Sequence, residues 1–174
     1  MNQPAPQAAA PKIRDHALDL LEVLEGLVAD RLISAEQAQK LKLRSHEWRD
    51  KLHPLQRVAE MQWEDPRSPG RRLLLEPLVQ WLATRTIDPL SIEVGRVTTV
   101  VSYAYAARLK ILPVKVTQDE VTIATAEPWM REWENDLGNM LKLRIKRVLA
   151  NPADIERYLI EFYALAKSVK ASSE

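Results

Sequence analysis

Cysteine is absent from this sequence of 174 residues, and no apolar run approaches the ~20 residues that are needed to cross a bilayer. Without cysteine there are no disulfides, thiolate zinc sites, iron–sulfur clusters or cysteine nucleophiles. The start of the chain is rich in proline and alanine and lacks the charged region and apolar core of a signal peptide. These absences favour a protein of the reducing cytoplasm.

Glycine is scarce, because the chain has only four: Gly26, Gly70, Gly95 and Gly138. None of them is followed by lysine, and no pair has the spacing of the phosphate-binding patterns G-x-x-x-x-G-K-[ST] and G-x-G-x-x-G. The G-x-S-x-G pattern of serine hydrolases is missing too. We therefore expect no catalytic residues and no cofactor, and we do not expect the chain by itself to be an enzyme.

Histidine is also sparse, with three residues, His16, His46 and His53. No histidine lies three or four residues from another, which is the spacing that brings two imidazoles to one metal ion on a helix. The three side chains are expected to face solvent or to form local hydrogen bonds. No metal site is predicted.

Charge of one sign does not dominate, because 25 Lys and Arg face 24 Asp and Glu, for a net charge of +1. Such a balance gives no overall field that attracts nucleic acid or an anionic membrane. The most basic segment is 142–147, where the alternation of a strand would place Arg144 and Lys146 on one face. That face could contact phosphates or an acidic partner. The alternative is a solvated sheet face, or ion pairs with the acidic helix before it.

The first half of the chain has the apolar period of helices. Residues 13–30 place their apolar side chains on one face, and a capping box that begins at Ser34 predicts a second helix. Shorter helices are expected at 55–61 and 73–83. The strongest turn signal lies between them at 65–70, which contains two prolines and a glycine.

The second half changes from the period of a helix to that of a strand. The predicted elements, in order, are a helix at 97–109, a hairpin of strands at 111–117 and 121–125, a helix from Pro128 to about Leu141, a strand at 143–149 and a helix that Asn151 caps and Pro152 begins. Pro113 indicates that its strand lies at an edge or begins there. We therefore predict an α+β fold. It consists of an N-terminal helical pair and an α-α-β-β-α-β-α domain, whose small three-stranded sheet is packed by helices.

The turn signal and the changes of period also predict how the chain is divided. The division is a disordered tail at 1–12, a helical subdomain at 13–64, a linker or turn at 65–72, an α/β domain at 73–170 and the start of a linker at 171–174. The tail is predicted to be disordered because it has almost nothing apolar to bury.

Two tryptophans stand one helical turn apart in the predicted helix 128–141, at Trp129 and Trp133, with Met130 beside them. Core packing is the ordinary role of such side chains. Tryptophan is also enriched at the energetic centres of protein interfaces, so this helix is a candidate partner surface. The predicted partner-binding residues are Trp129, Met130, Trp133, Arg144 and Lys146.

Three segments of the second half resemble the N-terminal domain of type II secretion and type IV pilus assembly ATPases (the GspE/PilB type, related to the MshE N-terminal domain). YAYAARLKILPV at 103–114 is similar to that family's passage from helix to strand. VTIATAEP at 121–128 resembles its strand and helix start, and KRVLANPADIERYL at 146–159 resembles its closing strand and helix. The three segments occur in the family's order across roughly 73–170.

The resemblance implies a docking role rather than catalysis. Such domains precede a P-loop motor and dock it to the cytoplasmic part of an inner-membrane platform protein. The expected partners are therefore that cytoplasmic domain and, if this chain is a piece of a longer protein, a C-terminal ATPase domain in cis. The expected location is the cytoplasm, peripheral to the inner membrane through those partners. A nucleic-acid-binding module built on the basic segment is disfavoured by the charge balance.

A branch of this family binds cyclic di-GMP through a motif that reads, loosely, R-L-G-x-x-L-[VI]-x-x-G. The segment 27–38 resembles the second half of the motif. However, Glu22 stands at the place of the arginine, Leu24 at the first glycine and Arg31 at the second. An acid in place of arginine loses a phosphate contact and repels the ligand. Cyclic di-GMP binding is therefore the alternative function, and it is disfavoured.

Overall fold

The computed structural model describes residues 15–91 and 100–172. Within these ranges the helices are α1 (Leu20–Ala29), α2 (Ala35–Arg44), α3 (Pro54–Glu60), α4 (Leu75–Arg85), α5 (Tyr103–Leu109), α6 (Glu132–Leu141) and α7 (Pro152–Ser172). The strands are β1 (Ile111–Val116), β2 (Glu120–Thr125) and β3 (Arg144–Leu149), and a 3-10 turn, Ser45–Glu47, follows α2. The predicted tail at 1–12 lies outside the described residues.

The predicted α+β fold is confirmed, and its sheet has the strand order β1-β2-β3. β1 and β2 form the predicted antiparallel hairpin, while β2 and β3 run parallel. Parallel neighbours need a crossover connection, and α6 supplies it between β2 and β3. The edge position expected for Pro113 is confirmed too, because β1 is an outer strand and its register shifts between Pro113 and Lys115.

Several predicted helix starts are confirmed by the side chains that cap them. Ser34 accepts a hydrogen bond from the Gln37 amide at 3.1 Å, and the Gln37 side chain accepts one from the Ser34 amide at 2.8 Å. At α7 the Asn151 side chain accepts from the Ala153 amide at 2.9 Å. These caps satisfy backbone donors that the first turn of a helix leaves without partners.

Three other helices begin later than the sequence predicts. The helix predicted from residue 13 begins at Leu20, and the helix predicted from Pro128 begins at Glu132. The helix predicted at 97–109 begins at Tyr103, and the first residues of that prediction lie outside the described part of the chain. At α1 the cap is local, because Asp19 accepts from the Glu22 amide. The residues ahead of α1 and of α6 make tertiary contacts instead, so they are not helical although their apolar residues have helical spacing.

The buried side chains form two adjoining hydrophobic cores. The first core lies among α1 to α4 and includes Leu24, Leu27, Leu41, Leu55, Leu78 and Trp81. The second core lies around the sheet with α5 to α7 and includes Ala106, Ile111, Val121, Ile123, Trp133, Leu137 and Ile155. Helix α4 packs in the first core although it follows the predicted linker at 65–72. The predicted domain ranges stay a prediction, whereas the packing changes from one core to the other only after α4.

Candidate functional site at the junction of the two cores

Residues 15–19, here called the strap, connect the first core to the turn before α6. The Asp15 carboxylate accepts hydrogen bonds from the Arg131 amide at 2.8 Å and from the Glu132 amide at 2.9 Å. Helix α6 has no side-chain cap from its own N-cap residue, Arg131. Asp15 therefore caps α6 from more than a hundred residues away, and its negative charge lies at the positive end of the helix dipole.

The strap makes two further contacts with residues 126–130. The Leu18 amide donates to the Glu127 carboxylate at 2.8 Å, and the Leu18 side chain is buried in the first core. The His16 amide donates to the Trp129 carbonyl at 3.4 Å, and the two rings stack with centroids 6.3 Å apart. Burial raises the pKa of the Glu127 carboxyl, and the hydrogen bond from Leu18 opposes that shift. The strap thus places a partly buried carboxylate between the two cores.

His53 is the second link across the junction. Its Nδ1 accepts a hydrogen bond from the Leu55 amide at 3.2 Å, so Nε2 carries the proton and donates to the Ala126 carbonyl at 2.9 Å. The side chain is only 8% exposed, and Glu127 lies 3.7 Å away. Burial lowers the pKa of His53 to about 4, although the bond to Ala126 opposes the shift. The imidazole is therefore neutral at physiological pH, and its tautomer is fixed by one bond to each core.

A cavity of about 890 Å³ opens beside these links, between α3, the strap and α7. Its charged lining is mixed and comprises Asp50, Lys51, Arg57, Lys110, Glu127 and Glu156. The Arg57 side chain is 8% exposed and forms ion pairs with Asp50 and Glu60. Its guanidinium also lies 4.3 Å from the centroid of the Trp48 ring. These partners compensate the burial of its charge, so Arg57 belongs to the framework of the junction.

The residues of the junction form a hydrogen-bonded link between the two cores. Among the described residues there is no group of three His, Cys, Asp or Glu side chains that could hold a metal ion. His53, the buried imidazole, uses both ring nitrogens for backbone hydrogen bonds. The arrangement orients the two cores, and its cavity has room for a ligand or for a segment of a partner.

The predicted tryptophan site occupies the side of the sheet that α6 covers. Trp129 and Met130 are half-buried in a turn before α6, and Trp129 packs against the first core. Trp133 is only 6% exposed and belongs to the second core, so it cannot contact a partner on this surface. The alternative of core packing therefore describes Trp133.

Two of the basic side chains of β3 lie on the opposite face of the sheet. Arg144 and Lys146 are exposed and share one face of β3, as the alternation predicts. Arg147 points to the other face, where it donates to the Pro128 carbonyl at 2.8 Å and lies 3.5 Å from Glu134 of α6. The expected ion pair with the acidic helix thus forms at Arg147. The structure does not bring the five predicted partner-binding residues together.

Sequence patterns missed the residues that form the junction. Asp15 lies inside a stretch with helical period, and Glu127 follows a strand without any motif of its own. His53 had a usable signal, because it precedes a proline and lies three residues before Gln56, whose side chain accepts from the His53 amide at 3.2 Å. That spacing is the capping box, with histidine in place of serine or threonine.

Comparison with known proteins gives the family. The model of the MshEN domain matches residues 82–169, slightly more than half of the chain. The chain belongs to the MshEN domain family. The resemblance to the N-terminal domains of GspE/PilB-type ATPases is thereby confirmed. Within the described residues, no helix is long and apolar enough to span a membrane.

Two relatives place this MshEN domain more closely. It is 33% identical over 164 residues to the type IV pilus assembly ATPase TfpB of Acinetobacter baylyi, covering 89% of this chain and 28% of that protein. The chain thus spans little more than a quarter of its curated relative. It also resembles a solved structure of MshE with cdg, with a TM-score of 0.56 and 19% identity, over 81% of this chain and 98% of that one. At this identity the second likeness shows the fold.

The segment that resembles the cyclic di-GMP motif forms α1 and the turn after it. Glu22, at the place of the motif arginine, pairs with His16 at 3.0 Å. Arg31, at the place of the second glycine, has a φ of 61°, the left-handed conformation that glycine adopts most easily. The backbone therefore keeps the shape that the glycine would give, whereas the charge at position 22 has the opposite sign to the motif.

Proposed function

We propose that this MshEN domain is a docking and regulatory module of a type IV pilus or type II secretion ATPase. In this role it couples a P-loop motor to the cytoplasmic domain of an inner-membrane platform protein. The expected location is the cytoplasm, at the inner membrane through that partner. Membership of the family and the likeness to a pilus assembly ATPase support the setting.

The clamped junction is the observation that carries this proposal. A coupling module must hold its binding surfaces in a fixed relation, since a loose hinge would not transmit a displacement from one partner to the other. Asp15, Leu18 and His53 each donate or accept a hydrogen bond across the junction. Arg144 and Lys146, in the first half of β3, are meanwhile exposed to solvent. The chain thus combines a fixed frame with an exposed polar surface.

A titration with the platform protein's cytoplasmic domain tests the docking role. Amide chemical shifts of the labelled chain are expected to change along β3 and on its neighbour β2 as the partner is added. The charge-reversed variant Arg144→Glu/Lys146→Glu should bind more weakly. The control Lys40→Glu/Lys42→Glu makes the same charge change at exposed positions of α2, a helix that packs in the first core and not on the sheet. This variant should bind like the unaltered chain. If the amide shifts do not change at any concentration, the docking role is wrong.

We also propose that the chain by itself does not hydrolyse nucleotide. The sequence has no G-x-x-x-x-G-K-[ST] pattern, and the backbone cradle of a P-loop requires those glycines. A phosphate-release assay with ATP and Mg²⁺ should show no turnover above the rate without protein. Turnover that survives further purification would overturn this proposal.

Binding of cyclic di-GMP is the second candidate function, because a protein of similar fold was solved as MshE with cdg. The retained left-handed turn at Arg31 supports it, and Glu22 opposes it by repelling a phosphate. Calorimetry of the chain with cyclic di-GMP measures whether the ligand binds. We expect no binding at micromolar concentrations. A measured dissociation constant in that range would make the chain a cyclic-dinucleotide sensor.

A further inference from the structure

Three side chains form a row across the sheet, on the part of one face that is accessible to solvent. Lys115 of β1 is the register partner of Thr122 of β2, and Thr122 is in turn the partner of Lys146 of β3. Neighbouring strands lie about 4.8 Å apart, so the two lysines stand on the order of 10 Å apart with the threonine hydroxyl between them. The same residues line a shallow depression of about 120 Å³.

The two lysines differ from the other cation of this face in their partners. Arg144 lies 3.1 Å from Asp119 and 3.8 Å from Glu120, so two carboxylates already compensate its charge. Neither Lys115 nor Lys146 forms an ion pair or a side-chain hydrogen bond within the described part of the chain. Both side chains are exposed. The free positive charge of this face therefore belongs to the lysine pair and not to Arg144.

The remaining lining of the depression is suited to a short acidic peptide. The hydroxyls of Ser91 and Thr122 can donate hydrogen bonds to carboxylate oxygens, and Leu90 and Val148 provide apolar lining for methylene groups. The Thr117 hydroxyl also lines the depression but already donates within its own turn, to Asp119 or to the Glu120 carbonyl. Glu120 also lines the depression and is held toward Arg144 at its edge. Two separated ammonium groups around a small polar and apolar patch match one or two acidic side chains.

We propose that Lys115, Thr122 and Lys146 bind an acidic segment of a partner protein, with each lysine pairing with a carboxylate. This proposal rests on the proposed docking function. It assigns the charged contacts with the partner to Lys115 and Lys146 rather than to Arg144. A polyanion such as nucleic acid or a lipid surface fits less well, because two cations with Asp119 and Glu120 close by do not form a continuous basic patch.

The test uses the full chain, labelled with nitrogen-15, and two synthetic peptides as probes, hexaglutamate and hexaglutamine. Hexaglutamate is expected to shift the amides of Lys115, Thr122 and Lys146 more than those of other exposed lysines. Hexaglutamine should leave them unchanged. Binding should weaken when the ionic strength is raised from about 0.01 M to about 0.15 M, because surface ion pairs are screened.

A matched pair of variants isolates the two lysines. Lys115→Gln/Lys146→Gln is expected to weaken hexaglutamate binding about tenfold, the effect of losing two surface ion pairs. Lys40→Gln/Lys42→Gln removes the same charge from the exposed face of α2 and should bind as tightly as the unaltered chain. Both pairs are exposed, so the amide spectra of both variants should keep their dispersion. Equal weakening by the two variants would overturn the site.

Two further outcomes separate this inference from the docking role. If the platform domain binds and its affinity is the same for Lys115→Gln/Lys146→Gln, docking survives and the acidic-peptide site is wrong. If the platform domain does not bind while hexaglutamate binds at the lysine pair, the site survives and docking is wrong. Tighter binding of a short oligonucleotide or of anionic vesicles than of hexaglutamate, at the same residues, would replace the acidic peptide by a phosphate-bearing partner.

Discussion

Arg31 holds a backbone conformation that an arginine adopts at a cost. Helix α1 ends in a Schellman motif, in which the Leu32 amide donates to the Leu27 carbonyl at 2.9 Å and the Arg31 amide donates to the Val28 carbonyl at 3.0 Å. The motif requires a left-handed residue after the C-cap, and Arg31 supplies it with a φ of 61°. This conformation costs an L-amino acid roughly 1–2 kcal/mol of stability, a cost that glycine avoids because it has no Cβ.

Arg31→Gly should therefore increase the free energy of unfolding by about 1 kcal/mol, after allowance for the greater freedom of glycine in the unfolded chain. Urea unfolding measures the change as a higher midpoint at an unchanged slope. Lys42→Gly is the opposite control, because it places glycine within α2 and should lower the free energy by about 1 kcal/mol. A loss of stability in both variants would show that the Arg31 side chain makes an unrecognised contribution.

His53 makes the stability of the junction depend on pH. Because its pKa is about 4 in the folded chain and about 6.5 in the unfolded one, the unfolded state binds more protons between these values. Stability is therefore complete above about pH 6.5 and is lost as the pH falls toward 4, by up to about 3 kcal/mol. Glu127 acts in the opposite direction, since its raised pKa makes the folded state bind a proton more readily. The positive charge of Lys110 also lowers the pKa of both groups.

Urea unfolding of His53→Asn at several pH values between 4 and 7 measures this dependence. Asparagine keeps a good helix cap for α3 but has no proton to gain. We expect the variant to be less stable at pH 7, because the bond to Ala126 is lost, and to lose less stability on acidification than the unaltered chain. His46→Asn changes an exposed histidine and should leave the dependence as it is. If His53→Asn and the unaltered chain have parallel pH profiles, His53 does not remain neutral in the folded state.

At the level of elements, the sequence predicted what local interactions determine. The capping box at Ser34, the cap at Asn151 and the β1–β2 hairpin all depend on residues a few positions apart, and all are confirmed. The predicted starts of α1 and α6 were wrong, because the residues ahead of these helices form hydrogen bonds with distant residues. The Leu18 side chain is buried in the first core from the strap, which is not helical. Its distance along the sequence from the apolar residues of α1 nevertheless matches the period of a helix.

The same reasoning explains which parts of the candidate site were predictable. Strand alternation placed Arg144 and Lys146 on one exposed face, because that alternation is a local property of the backbone. The partners of Arg144, and the position of Lys115 beside Thr122, depend on the register between strands. Periodicity within one strand does not specify that register.

Asp15 provides a test of the distant cap. Asp15→Ala should lower the free energy of unfolding by about 1 kcal/mol, since two amide donors of α6 lose their acceptor. Hydrogen exchange gives a local readout, because the amides of Arg131 and Glu132 should exchange about fivefold faster in the variant. Asp136→Ala removes an exposed acid from α6 itself and should change neither quantity by much. Unchanged exchange at Arg131 and Glu132 in Asp15→Ala would mean that the strap does not cap the helix.

For the molecule as a whole, Leu149 is the residue where the two cores meet. It ends β3, yet its side chain is 1% exposed and packs in the first core, while its neighbour Val148 packs in the second. Its backbone also pairs with the chain after α4, through the Asp88 carbonyl and the Leu90 amide, both at 2.8 Å. The last residue of β3, a strand of the second core, thus fills part of the first core. The two cores are therefore expected to unfold together, although the chain was predicted to divide at 65–72.

Leu149→Ala tests this cooperativity. The truncation should cost about 2–5 kcal/mol, because it removes a buried side chain and leaves a cavity in the first core. Amide signals of Leu27 in the first core and Ile123 in the second, followed through urea unfolding, should disappear with one midpoint that falls equally for both. Ile160→Ala truncates a side chain that is 58% exposed and should move neither midpoint by much. A midpoint that falls for Leu27 alone would mean that the cores unfold independently, and the junction could not then transmit a displacement between partners.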